Sequence, residues 1–375
     1  MSAPTSEPLV TLGADGTFRP DASAAGTIDP LEALTTLRGL LGDDLEDGIA
    51  TRMMLPAALG TEPADQLLPA SLTLLADTAA DLTSFGWRLG VGPSRAWARA
   101  RDLRERRVEA AQVALFGLEK DLQVTALGPL TLATATFLPG GERTLADRGA
   151  LRDLPEALAA GLSEHLADIR RRLPGARPRL LLREPAAQTV LDGTVPTVSG
   201  RQRHRALPAP ELSPHWRWLR KALGEDATGL TLAVPPHPTL LAAATAAGIT
   251  GVAVPTGLLG PLTGVEEVPP ARRDRARRDR AAWEELARLH SDGVRLEILV
   301  DPRRAEAQVD AFAAAWQRLG FSARDLSGLT LLAHPAPVGS ADPAREPTAT
   351  DLPGSADITH LLRLAPAWAE RVAGS

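Results

Sequence analysis

The chain is predicted to be an α/β protein, a single-domain (β/α)8 barrel of the TIM type, on three observations. Short runs rich in Val, Leu and Ile alternate with longer amphipathic stretches, which is the pattern of βαβ units around a parallel sheet. Six such runs with crossover helices suit one barrel better than two domains, and 375 residues can bury a core of that size. No run is followed by a Gly-rich phosphate loop, which disfavours an open doubly wound sheet.

Taken in order, residues 1–25 are rich in Ala, Ser, Pro and Gly and lack the basic start and apolar centre of a secretory signal, so a flexible cytoplasmic tail is expected. The barrel is expected over 26–338, with strands near 26–28 and 85–89 and helices over 31–41, 67–82 and 95–118. Further strands are predicted at 122–127, 178–182, 230–234, 251–254, 294–300 and 329–333. Helix 151–173 carries leucines and alanines at helical spacing and stops at Pro174-Gly175. Helices 239–247 and 272–290 fill later gaps. Helix 303–319 places Val309, Phe312, Ala313, Trp316 and Leu319 on one face before Gly320 ends it. Residues 339–355 read as a linker without periodicity, and 356–375 as a C-terminal helix.

The chain has no cysteine, which excludes disulfides, thiolate metal sites and cysteine nucleophiles within it. No apolar run reaches membrane-spanning length, and the net charge of −5 exerts no pull toward nucleic acid or anionic lipid. A cytoplasmic protein with a small-molecule ligand, and neither membrane nor nucleic acid as partner, is expected. The excess of 39 arginines over two lysines fits GC-rich coding and carries no mechanism. In 272–280, six arginines alternate with Asp274 and Asp279 at i,i+3 and i,i+4 spacing, the mark of a solvated helix face.

A parallel barrel collects its chemistry at the C-terminal ends of the strands. Polar residues expected there are Thr131, Arg183, Glu184, His237, Thr256, Asp301 and His334. Arg183-Glu184 follows a continuous apolar run, and adjacent strand residues face opposite sides, so only one of the pair faces the mouth. Glu184 is the candidate general base or substrate anchor, against an ion pair between loops. His237 and His334 are candidate acids, or ligands of a metal with Glu184 or Asp301. The ordinary alternative is loop histidines beside proline, and no short His-x-His spacing supports the metal. His204, within the basic run 201–205, suits a polyanionic tail or a solvated loop.

Several segments are together similar to the short cobalamin-independent methionine synthase homologues, single barrels in the superfamily of uroporphyrinogen decarboxylase. They are Gly86-Trp87-Arg88-Leu89, Gly128-Pro129-Leu130-Thr131-Leu132, residues 145–154, Arg183-Glu184-Pro185 and Pro196-Thr197-Val198-Ser199-Gly200. The likeness runs from about Gly26 onward and is strongest in the middle third. It implies a (β/α)8 barrel that moves a methyl group from 5-methyltetrahydrofolate to homocysteine, whose thiol a zinc ion activates. The implied zinc ligands fall on Val234, Pro236 and Pro337, the last beside a matching Pro335, and none of these side chains can bind a metal. The family's acidic residue before Glu184 is Arg183 here, and its early Gly-Ser loop corresponds to Gly26-Thr27.

The expected function is therefore a methionine synthase-like barrel whose methyl transfer is lost or altered, a pseudoenzyme without cofactor that retains folate as a candidate substrate. Glu184 is the expected catalytic residue. Thr27, Thr131, Arg183, His237, Asp301 and His334 are the expected substrate contacts. The alternatives are a non-catalytic binding or regulatory barrel, and a metal-free enzyme of the decarboxylase type with Arg183 and the arginines of 201–205 as anion clamps.

Overall fold

The computed structural model describes residues 8–20, 28–46, 48–60, 62–90, 92–334 and 352–374. In chain order its first half contains β1 (Val10–Ala14), α1 (Pro30–Leu41), β2 (Ile49–Thr51), β3 (Met53–Leu55), α2 (Leu67–Leu72), β4 (Ala80–Thr83), β5 (Gly86–Leu89), α3 (Arg95–Ala114), β6 (Asp121–Leu127), α4 (Pro129–Ala135), β7 (Thr136–Phe137) and α5 (Arg148–Arg172). There follow β8 (Arg177–Arg183), α6 (Ala187–Leu191), α7 (Ala209–Leu223), β9 (Thr231–Ala233), α8 (Pro238–Ala246), β10 (Gly251–Pro255), α9 (Arg273–Ser291), β11 (Arg295–Val300), α10 (Ala305–Arg318), β12 (Leu329–Ala333) and α11 (Ser355–Gly374).

Nine strands form one sheet in the order β2-β1-β12-β11-β10-β9-β8-β6-β3, and every pairing in it is parallel. Its two end strands, β2 and β3, are separated in sequence by Arg52 alone, whose N–H donates to the Leu12 carbonyl at 2.6 Å. The sheet therefore curls until its ends meet, a nearly closed parallel barrel. A small second sheet, β4-β5-β7, stands apart from it.

Strand alternation divides the side chains into two sets. Val10, Leu12, Leu122, Val124, Leu180, Leu182, Val252, Val254, Ile298 and Leu331 point outward and join the main core beneath the helices. Leu181, Ala233, Ala253, Leu299 and Leu332 form a separate apolar cluster inside the barrel. Below that plug the interior is polar. Arg52 Nη1 lies 2.9 Å from Glu297 Oε2, Thr231 donates to Glu297 at 3.0 Å, and Arg52 donates to Thr330 at 3.2 Å. Burial alone would raise the Glu297 pKa, but Arg52, then Arg295 and Thr231, lower it, so an ionised pair is held in a dry interior. Buried on both faces, the strands are the apolar runs visible in the sequence.

Helix starts follow local chemistry. Asp29 caps α1 by accepting from Leu31 N, with Pro30 in the first turn; Ser94 caps α3 and Asp147 caps α5. The expected strands from 122–127 onward and the later helices appear within a few residues of their predicted bounds. The closing helix is α11, which packs on α1 and β1.

Four expectations are corrected. The tail reading of 1–25 fails from Val10, because β1 is a barrel strand and Phe18 is fully buried. No strand begins at Ile28, which leads into α1; residues 26 and 27 lie outside the described residues. The helix expected over 67–82 ends at Leu72, and Ala80 begins a strand. The strand near 85–89 exists, but it belongs to the side sheet, where Gly86 at φ +131° passes a Phe137 ring that a Cβ would meet at 2.9 Å. Strands β2 and β3 and helix α7 lay outside the predicted elements. Of the linker, 339–351 lies outside the described residues. Among the described residues no helix is long and apolar enough to cross a membrane.

Candidate functional site

The C-terminal ends of β1, β8 and β12 bring three charged or titratable side chains together. Asp15, just past β1, is completely buried. Its Oδ2 lies 2.8 Å from Arg183 Nη1 and 2.6 Å from His334 Nδ1. Its Oδ1 accepts from the Thr17 amide at 3.0 Å and the Thr17 hydroxyl at 2.6 Å. The Arg183 contact is an ion pair at close range without hydrogen-bond alignment. Strand geometry sets the triad. Asp15 N donates to the Ala333 carbonyl and His334 N to the Val300 carbonyl, so both follow the ladder, and both Arg183 and Asp15 are inward positions.

Electrostatics fix the protonation states. Burial alone would push Asp15 upward, but the Arg183 charge, the His334 bond and Thr17 hold its carboxyl down at about 2. Burial lowers the His334 pKa below its ordinary value, with the Asp15 bond opposing and the Arg183 charge reinforcing. At neutral pH the set is therefore an aspartate, an arginine and a neutral histidine. An ionised carboxylate can only accept, so the imidazole proton sits on Nδ1 and Nε2 carries the lone pair. No hydrogen bond occupies that Nε2 among the described residues. Asp301, register neighbour of His334, accepts from Arg303 N at 3.1 Å, while its own N–H is fixed by Gln308 Oε1 at 2.9 Å.

Glu184 stands elsewhere. One residue after Arg183 it turns to the other side of the strand and is completely buried. Its Oε1 accepts from Leu130 N at 3.1 Å and Trp216 Nε1 at 2.9 Å; its Oε2 accepts from Thr131 N and the Thr131 hydroxyl, each at 2.7 Å. Burial raises its pKa while these four donors oppose the rise. The carboxylate passes so close to Gly128 that a Cβ there would meet it at 2.4 Å, which explains the glycine. Glu184 and Thr131 are thus brought together, but occupied with each other, the start of α4 and the indole of α7.

His237 is the cap of α8, its Nδ1 accepting from Thr239 N at 3.2 Å, and it is half-buried. Thr256 is buried and donates to the Leu299 carbonyl at 3.0 Å. Thr27 lies outside the described residues. His204 sits in an exposed loop in which Arg205 pairs with Glu211 and Arg203 donates to the Thr194 carbonyl at 2.8 Å. In 272–280 Arg277 pairs with Asp274 and Arg275 with Asp279 along their own helix, while Arg273 reaches Glu266 before it at 3.1 Å. Asp15 and Thr17, in the segment taken for a tail, were missed. The signal for them was the apolar run Leu9–Leu12 ending in Ala14-Asp15-Gly16.

The residues aligned with zinc ligands do not fit that ion. The Val234 side chain is buried in the core, and its N–H is spent on the Ala253 carbonyl at 3.1 Å. Pro236 offers no side-chain donor, and Pro335 and Pro337 lie outside the described residues. Comparison with protein-family models and with curated proteins gave no match for this chain.

Proposed function

We propose that this chain is a (β/α)8 barrel enzyme that moves a proton on a small anionic substrate at its strand-end mouth. Counting the segment 49–55 as one strand bent at Arg52 reduces nine strand segments to the eight of such a barrel. The observation that carries the proposal is the single Asp15 oxygen shared by Arg183 and His334. Aspartate fixes the imidazole tautomer and orientation, leaving a neutral Nε2 with its lone pair free to accept a proton beside a guanidinium that favours a nearby negative charge. Asp15 is the positioning residue, His334 the general base and Arg183 the electrostatic anchor.

The motif likeness supports descent from methionine synthase-like barrels. It does not support zinc-assisted thiol methylation, because the ligand positions hold valine and proline. Folate remains a candidate ligand of the mouth.

A binding barrel without turnover is the second candidate. It is favoured by Glu184 and Thr131, both within motif-like segments, being engaged in holding α4.

Thermal-shift titration with 5-methyltetrahydrofolate, homocysteine and anionic tetrapyrroles would test the mouth, using wild type and His334→Gln. The proposal expects an anionic ligand to stabilise wild type, and expects its turnover, but not its binding, to be lost in His334→Gln. Stoichiometric zinc with chelator-sensitive homocysteine methylation would overturn it. Binding with no turnover by wild type would favour the second candidate.

A further inference from the structure

On the outer wall of the barrel, a groove of about 720 Å³ runs between α3, α5 and the loop 73–79. That volume is in the range of small-molecule sites. The groove is unrelated to the strand-end mouth and is lined by four arginines and four acids.

Half of these charges are accounted for. Arg171 and Arg172 pair with Asp168, and Arg172 also reaches Glu105 at 2.9 Å. The other half has no ion-pair partner among the described residues. Arg101 lies over the Trp97 ring at 5.4 Å, and Arg104 donates to the Thr73 carbonyl at 2.7 Å. Opposite them, Glu164 on α5 and Asp77 on the loop make no ion pair. The charges left without an ion pair thus divide between elements, two arginines on α3 against one acid on α5 and one on the loop. A lone anion would meet Glu164 and Asp77, and a lone cation would meet Arg101 and Arg104.

His165, on α5, lines the same groove. The ring keeps a partly exposed edge yet is packed round on almost every side, and no hydrogen bond engages it among the described residues. Burial, then the Arg104 charge, lowers its pKa to about 4, so it is a neutral ring with one donor and one acceptor. Neither ring nitrogen is sealed from solvent, so the polar edge is open to water or to a ligand in the groove. Behind it a void of about 30 Å³ shares Leu74, Arg104 and His165 with the groove.

We propose that this groove binds a small zwitterion, its carboxylate between Arg101 and Arg104, its ammonium at Glu164 and Asp77, and His165 bonding to it from the floor.

The test titrates the full chain with free α-amino acids and glycylglycine while following the His165 ring signals by NMR. Acetate and methylammonium are the single-charge controls, and His165→Asn assigns the signals. Saturable shifts with at least one zwitterion are expected, with affinity falling about tenfold or more in Arg101→Gln and in Glu164→Gln. Both side chains are on exposed helix faces, so folding is preserved, and Arg277→Gln on the solvated helix should leave affinity unchanged. Absence of saturable shifts across the panel would overturn the proposal. So would equal binding of acetate or methylammonium, or affinity indifferent to both groove variants.

Discussion

Asp15→Asn is the most informative single substitution. The aspartate accepts two bonds from Thr17 on Oδ1 and faces Arg183 and His334 with Oδ2. An asparagine keeps the Thr17 bonds only by turning its NH2 toward a guanidinium and an imidazole N–H. Arg183 is then a buried cation without an anion, a change that costs about 3–5 kcal/mol in comparable sites. The pKa gives an independent figure. A carboxyl lowered from 3.8 to about 2 contributes about 2 kcal/mol at roughly 1.4 kcal/mol per pKa unit. Because the folded value is depressed, that contribution is complete above pH 3.8 and fades as pH falls through about 2. Urea unfolding at several pH values measures both. The variant should lose about 3–5 kcal/mol near neutral pH, and the gap to wild type should shrink by about 2 kcal/mol on reaching pH 2. The His334 proton should also migrate from Nδ1 to Nε2, visible in ¹⁵N imidazole shifts. A loss below about 1 kcal/mol at pH 7, or a gap that does not change with pH, would refute the ionised cluster.

Glu184→Gln should cost about 2–4 kcal/mol, since either amide orientation sets an NH2 against two of the four donors; urea unfolding followed by circular dichroism checks it. Inside the barrel, Glu297→Gln should cost about 3–5 kcal/mol by stranding Arg52, whereas Arg52→Met with Glu297→Leu should cost less than the single change. A double-mutant cycle reads the difference. Gly161→Ala on α5 would set a Cβ 1.8 Å from the Leu74 carbonyl oxygen, so the loop 73–79 must shift. A loss of about 1–3 kcal/mol in unfolding free energy is expected, with perturbed His165 ring signals.

Strands β6, β8 and β9 to β12 were legible because each is a short apolar run followed by a turn or proline, a purely local signal. β1 was hidden by composition: averaged with its Ala, Ser and Pro neighbours, the run from Leu9 to Ala14 looked like tail. β2 and β3 were hidden by Arg52, a charge that reads as loop until its partner Glu297 is known, 245 positions away. The site followed the same division. Arg183 and His334 were visible as polar strand ends, but Asp15, which makes them a unit, pairs with His334 across 319 positions. Glu184 was legible as a charged residue after an apolar run, while its direction depended on the alternation beginning one residue earlier. Its indole partner Trp216 sat on a helix the periodicity had not revealed.

The seam between β1 and β12 has a consequence for biosynthesis. Leu329 to Ala333 complete the ring by pairing with the earliest strand, Val10 to Ala14. Until those late residues leave the ribosome, one edge of β1 has its hydrogen-bonding groups bare, a template for mispairing with other chains. Closure is then a late, long-range event, with nearly the whole polypeptide looped between the joined edges. A chain cut short before Leu329 would lack the strand that joins β1 to β11, leaving both of those edges open to capture by other chains.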